Sequence, residues 1–292
     1  MAILTPNLVK VKMMSTTEIK TPSIVNLAAY KFVDLAEAQL IELQQQLLAE
    51  AERLQIKGTI LLGGEGINLI IAGERDDIDH FTTYMKNLKP FADITFKESL
   101  SEERPFRRMR VRLKQEIVTM RVPGVSPDDG GRHYLDAKQL KQWLDEGRDF
   151  TFLDTRNDYE VEIGTFDKAI DLDIEEFNEF PEKVKQLEAD REKPMVMFCT
   201  GGIRCEKASV AAEQAGFKEV YQLHDGILKY FEECGGEHYR GDCFVFDRRA
   251  AITPELKETG ITQCPRCDTF IQPEDQDHPK YVAWNRCQYC PS

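Results

Sequence analysis

A four-residue apolar run, Met195-Val-Met-Phe198, passes directly into Cys199-Thr-Gly-Gly-Ile-Arg204, and no other stretch limits the fold of this chain as much. A short apolar run bounded by turn signals is the pattern of a strand buried on both faces, as in parallel sheets. Helical spacing over Glu206 to Ala215 places the loop between a strand end and a helix start. In open parallel sheets that edge is where ligands bind. The flanking patterns agree: a helix from Leu135 to Glu146, a strand from Phe150 to Asp154, a helix from Phe177 to Leu187 and a strand from Val220 to Leu223. Strands alternating with helices predict a parallel α/β domain, here over 134–241.

The loop has the composition of an anion cradle. Gly201 and Gly202 let the backbone curl so that successive N–H groups point inward, and a helix beginning near Cys205 adds its partial positive charge. Cys199 is therefore the expected nucleophile, with Thr200, Gly201, Gly202, Ile203, Arg204 and Cys205 forming the cradle. Such surroundings lower a thiol pKa from about 8.5 toward roughly 3.5–7.5, so the thiolate predominates at neutral pH. The same cradle suits a persulfide or another charged sulfur adduct. An inert buried cysteine at a strand end is the plain alternative. Cys205 is placed either to resolve a sulfur adduct on Cys199 or simply to pack. Cys234 and Cys243 carry no motif and are read as structural.

Toward the N-terminus, a strand over Ile24 to Val33 precedes helical spacing over Leu35 to Leu54. Two apolar runs, GTILL and INLIIA, flank Gly63-Gly64-Glu65-Gly66, then come a helix over Asp76 to Leu88 and an extended Ile94 to Phe96. The order strand-helix-strand-strand-helix-strand predicts a ferredoxin-like sandwich over 23–118, after a flexible tail at 1–22. The glycine-rich segment reads as a tight hairpin turn; no Lys-Ser/Thr pair follows and a strand comes next, which argues against a phosphate cradle. Residues 119–133, with PGVSPDDGGR, read as a linker. In the C-terminal segment, 242–292, Cys264-x2-Cys267 and Cys287-x2-Cys290 are separated by nineteen residues, a spacing suited to a four-thiolate zinc site. A redox pair or free thiols are the alternatives.

The formal net charge of −13 excludes indiscriminate binding to polyanions, so any nucleic-acid site must be local. One stretch qualifies: Arg104, Arg107, Arg108, Arg110, Arg112 and Lys114 lie within eleven residues that also hold Phe106 and include no acidic residue. A basic strand on a solvated face is equally compatible. The stretch Met1 to Ser23 is polar and basic, with no apolar run suited to a membrane span or export signal, so a cytoplasmic protein is expected and the eight cysteines favour thiol or metal chemistry.

Three separated stretches, FLDTRNDYEVEIGTF (152–166), FCTGGIRCEKA (198–208) and VYQLHDGILKY (220–230), together resemble a rhodanese domain. The resemblance implies that Cys199 is the sulfur-bearing cysteine and that Asp154 and Arg156 organise the domain. Four residues between Cys199 and Arg204 make a tighter loop than the Cys-x5-Arg cradle of related phosphatases. With GGEGIN (63–68), CFVFDRR (243–249) and the C-x2-C tail added, the chain from Ile24 to Cys290 resembles the bacterial tRNA uridine 34 hydroxylases. That resemblance implies oxygen-dependent formation of 5-hydroxyuridine in tRNA, with molecular oxygen as co-substrate and tRNA as partner. It says nothing of protein partners. The residues themselves spell no flavin or nicotinamide site and no His/carboxylate iron site. A rhodanese-type sulfurtransferase and a non-catalytic persulfide or redox module remain the competing readings.

Overall fold

The computed structural model describes residues 23–127, 130–131 and 133–291. The tail expected over 1–22, and residues 128, 129 and 132 of the expected linker, lie outside the described residues. The first sheet is built from β1 (Ile24–Phe32), β2 (Lys57–Gly63), β3 (Gly66–Gly73), β4 (Lys97–Ser101) and β5 (Met109–Leu113), with α1 (Glu37–Arg53) and α2 (Arg75–Asn87) on one face. Its order is β4-β1-β3-β2-β5. The first four strands make the expected ferredoxin-like sandwich; β5 joins the outer edge parallel to β2. The fourth strand differs from expectation. Ile94 is 3% exposed and belongs to the core, but pairing with β1 begins only at Lys97. As an edge strand of sequence KESLS, β4 carries little apolar signal to mark it.

Alternation along β1 splits its side chains between two faces. Val25, Leu27 and Ala29 enter the core with Leu47, Phe81 and Met85 from the helices. Asn26, Ala28 and Tyr30 point the other way, toward the second domain.

That domain holds a four-stranded parallel sheet of order β6-β10-β9-β7. Its elements are β6 (His133–Leu135), α3 (Ala137–Asp145), β7 (Thr151–Asp154), α4 (Asp158–Ile163), β8 (Gly164–Phe166), α5 (Phe180–Gln186), β9 (Met195–Phe198), α6 (Ile203–Gln214), β10 (Val220–Leu223) and α7 (Gly226–Cys234). The helix expected from Leu135 starts two residues later. Leu135 pairs in β6, and Asp136 caps α3 by accepting from the Gln139 N–H at 2.8 Å. Helix α6 starts at Ile203, ahead of the expected position, because Gly202 at φ +95° turns the chain into it. Its first turn escapes periodicity analysis since Arg204, Glu206 and Lys207 are polar yet at most 6% exposed. Asp154 and Arg156 form a fully buried pair at 2.7 Å, with the guanidinium also donating to the Gly164 carbonyl at 2.7 Å.

Beyond α7 the chain forms β11 (Tyr239–Gly241) against β8, the pair β12 (Cys243–Phe244) and β13 (Ala251–Ile252), and the pair β14 (Thr262–Gln263) and β15 (Phe270–Ile271). No helix among the described residues is long and apolar enough to cross a membrane.

Helix α6 ties the two sheets together. Lys207 Nζ reaches Glu65 at 2.8 Å, Glu116 at 2.8 Å and the Val118 carbonyl at 3.1 Å. Glu65 sits in the glycine-rich hairpin turn and also accepts from the Ile117 N–H at 2.7 Å. The turn is thus a tight turn whose acidic tip fastens one domain to the other. Tyr30 donates to Glu206 at 3.0 Å, and Lys97 pairs with Asp225 at 2.6 Å. Lys207 is 3% exposed while both carboxylates are about a quarter exposed. Replacing Lys207 by Met leaves two carboxylates facing each other without a counter-charge, so we expect a loss of about 2 kcal/mol in urea unfolding.

Candidate active site and adjoining basic cleft

Strand β9 delivers Cys199 to the carboxyl edge of the parallel sheet, and the Gly202 N–H donates to its sulfur at 3.1 Å. Underneath, the first turn of α7 donates upward: the Ile227 and Leu228 N–H groups bind the carbonyls of Cys199 and Thr200 at 3.0 and 3.1 Å. Those carbonyls are held on the α7 side, which leaves the loop amides to the sulfur. The approach requires Gly226, at φ +71°, because a Cβ there would lie 2.4 Å from the Cys199 oxygen.

Burial on its own raises the Cys199 pKa, but a hydrogen bond from the Cys205 thiol, the Arg204 charge and the Arg204 and Gly202 amides outweigh it and bring it down to about 5. Cys205 moves the opposite way: burial, and then the Cys199 thiolate it serves, push it up. It is the hydrogen-bond donor of the pair and also contacts the Thr155 hydroxyl at 3.7 Å. Burial raises Cys243 to about 12 and raises Cys234, which keeps both as ordinary thiols.

Arg204 acts on the sulfur through its charge and its amide while its guanidinium is held elsewhere. It forms a two-pronged pair with Glu160 at 2.5 and 2.8 Å, and the two side chains are 7% and 0% exposed. Cys199 itself is 1% exposed. Its outlet is a cavity of about 670 Å³ lined by the loop and by the helix-free face of the first sheet, including Asn26, Tyr30 and Lys97. Asn26 Oδ1 is buried with no partner among the described residues, leaving an acceptor for a ligand N–H.

A second cleft of about 780 Å³ adjoins the first, with Thr59, Phe106, Phe246 and Asp247 lining both. Arg107, Arg108, Arg110 and Arg248 line it together with Tyr159 and Trp284. The six basic residues singled out from sequence therefore divide. Arg104 turns back to the Gln55 carbonyl at 3.2 Å and Glu74 at 3.4 Å, and Arg112 and Lys114 are exposed outside both clefts.

In the C-terminal segment the four C-x2-C sulfurs converge. Cys267 and Cys287 are 3.5 Å apart, Cys264 and Cys290 3.6 Å, Cys267 and Cys290 3.7 Å, and Cys287 and Cys290 3.9 Å. With Zn–S bonds of about 2.3 Å, a tetrahedron has edges of about 3.8 Å, so this donor set fits zinc.

Comparisons with known proteins bear on both domains. A family model described as UPF0176 acylphosphatase like domain matches residues 24–117, and one described as Rhodanese-like domain matches 136–233. The tRNA uridine(34) hydroxylase of Cupriavidus metallidurans is 49% identical over 91% of this chain and 96% of its own length. Proteins of that name from Burkholderia cenocepacia and Paraburkholderia xenovorans are 50% and 48% identical, each over 92% of this chain and over 97% and 96% of their own lengths. This chain belongs to the tRNA uridine(34) hydroxylase family.

In this member of the hydroxylase family, Glu160, Tyr30, Glu206, Gly226 and Phe246 complete the site and were not found from sequence. The Gly226 position had a visible signal, a His-Asp-Gly immediately after the strand Val220–Leu223. Glu160 and Tyr30 had none, because each meets the loop only through the fold. With its pKa brought down to about 5, Cys199 binds less proton in the native fold than in the unfolded chain between about pH 5 and 9. The loop's contribution to stability thus rises with pH across that window and is lost as pH falls to about 5. We expect alkylation of Cys199 by iodoacetamide to rise through about pH 5 and to be level at neutrality, with Cys205→Ala moving the inflection upward. An inflection near an ordinary thiol value would overturn the assignment.

Proposed function

We propose that this chain hydroxylates C5 of uridine 34 in tRNA, with Cys199 as the nucleophile. The observation that carries the reading is a thiolate whose outlet is a cavity of nucleotide size, reached beside a cleft lined by Arg107, Arg108 and Arg110, with which no carboxylate pairs among the described residues. A wobble base lies in a single-stranded loop and can be splayed into such a cavity. Addition of the sulfur to C6 makes C5 electron-rich; oxidation there, loss of the C5 proton and departure of the thiolate regenerate the enzyme. Exchanging C–H for C–OH removes two electrons from the base. With molecular oxygen as co-substrate, one oxygen atom enters the base and the other leaves as water, taking two further electrons from a thiol-class reductant.

Around that chemistry the residues divide their work. The amides of Gly202 and Arg204 with the Cys205 thiol hold the sulfur ionised and receive it again as leaving group. Glu160 fixes Arg204, and Tyr30 bound to Glu206 fixes the opposite wall. Cys264, Cys267, Cys287 and Cys290 hold a structural zinc. A tRNA substrate implies a cytoplasmic location.

Nucleoside mass spectrometry of tRNA from cells carrying Cys199→Ala is expected to lack 5-hydroxyuridine; undiminished levels would remove the cysteine from the reaction. The amide cradle holds a persulfide equally well, which keeps a sulfurtransferase as the second reading. In that case the same spectra lose a thiolated nucleoside instead. Charge reversal at Arg107, Arg108 and Arg110 is expected to weaken tRNA binding and to flatten its dependence on salt by about two in log–log slope. An unchanged slope would put the RNA elsewhere.

A further inference from the structure

The C-terminal four-cysteine segment has no part in the thiolate loop, yet it is packed against the path to it. Gln263 and Pro265, on either side of Cys264, form part of the second cleft's wall, as does Trp284 ahead of Cys287. Trp284 sits at the tip of a short loop closed by backbone bonds between Val282 and Arg286, at 2.9 and 3.1 Å. It is 37% exposed and has φ +61°, a backbone conformation rare for a bulky side chain. Such strain persists only where surrounding structure enforces it, and it concentrates at ligand clamps. The Arg248 guanidinium lies 4.3 Å from the ring centroid, which fixes the plane of the indole.

Arg107, Arg108 and Arg110 line the same cleft, and no carboxylate pairs with any of them among the described residues. The one carboxylate in the lining, Asp247, is committed to Arg249 through contacts of 2.9 and 2.5 Å. In a chain of net charge −13, three arginines without carboxylate partners among the described residues, sharing a cleft with an indole, match one ligand chemistry: a single strand of RNA, with phosphates on the arginines and a base on the ring. Phe106 and Phe246, shared by the two cavities, stand where such a strand would turn its next base toward Cys199.

We propose that the second cleft is the bed of the anticodon strand flanking the target base, and that the four-cysteine segment builds its far wall by presenting Trp284 for stacking. The inference rests on the tRNA reading above and assigns the segment a substrate-binding role beyond stability. Cys287 and Cys290, which would hold a bound zinc, anchor the loop that carries Trp284, so the metal would fix that loop's position.

The test uses the full-length protein and a synthetic anticodon stem-loop RNA. Trp143→Phe leaves Trp284 as the sole tryptophan, and its fluorescence is expected to be quenched as RNA is added. By anisotropy, Trp284→Ala is expected to bind roughly tenfold more weakly with an unchanged salt slope, Trp284→Phe to bind almost as wild type, and chelator-treated protein to match Trp284→Ala. Absence of quenching, or wild-type affinity in Trp284→Ala while Arg107→Glu weakens binding, would overturn the proposal. If Trp284→Ala fails to fold, the quenching measurement decides alone. The two readings fail separately. Undiminished 5-hydroxyuridine in Cys199→Ala with weak RNA binding by Trp284→Ala sinks the chemistry and leaves the cleft, and the opposite pair of results does the reverse.

Discussion

An anion buried in a protein must be met by dipoles and donors already in place, because water is not there to reorganise around it. The Cys199 sulfur depends on that condition, and much of the second domain serves it. Gly202 supplies an amide and turns the chain into α6; Gly226 lets α7 approach closely enough to bind the loop's carbonyls. Cys205 donates and is kept from ionising by burial and by the charge it serves. Glu160 carries a different burden. A lone Arg204 inside the protein would be costly, and the carboxylate neutralises it while leaving enough positive potential to favour the thiolate.

The first turn of α6 does two jobs with consecutive residues. Cys205 faces the sulfur, while Glu206 and Lys207 reach across to Tyr30 and to Glu65 and Glu116 of the other domain. Thiolate and roof are therefore fixed by one helical turn, so the cavity's shape and the sulfur's charge state are set by the same packing.

Much of this was legible in the residues, and the limits follow from what periodicity can report. The run Met195–Phe198 with its glycine loop located β9 and the cysteine at its end because burial on both faces leaves no polar positions. The C-x2-C pairs announced a four-sulfur cluster through spacing alone. Strand β4 was misplaced because an edge strand of sequence KESLS needs few apolar residues. The start of α6 was misplaced because its buried face is charged, a property that makes sense only once the opposing domain is present. The basic stretch was seen as one patch, whereas the fold turns Arg104 away to Gln55 and Glu74 and keeps Arg107, Arg108 and Arg110 on the cleft. Glu160 and Tyr30 act at the loop across 44 and 176 residues of chain, distances that no local pattern spans.

The roof over the sulfur has a further consequence. A thiolate this acidic, left on an open surface, would exchange with any protein disulfide that met it. Beneath the β1 face it meets only what fits between two domains, so selectivity begins as simple sieving, before any base is recognised. Parting the domains would break the clamps from Glu206 and Lys207 and bare the sulfur in one motion, which makes the domain seam a guard on the enzyme's own survival.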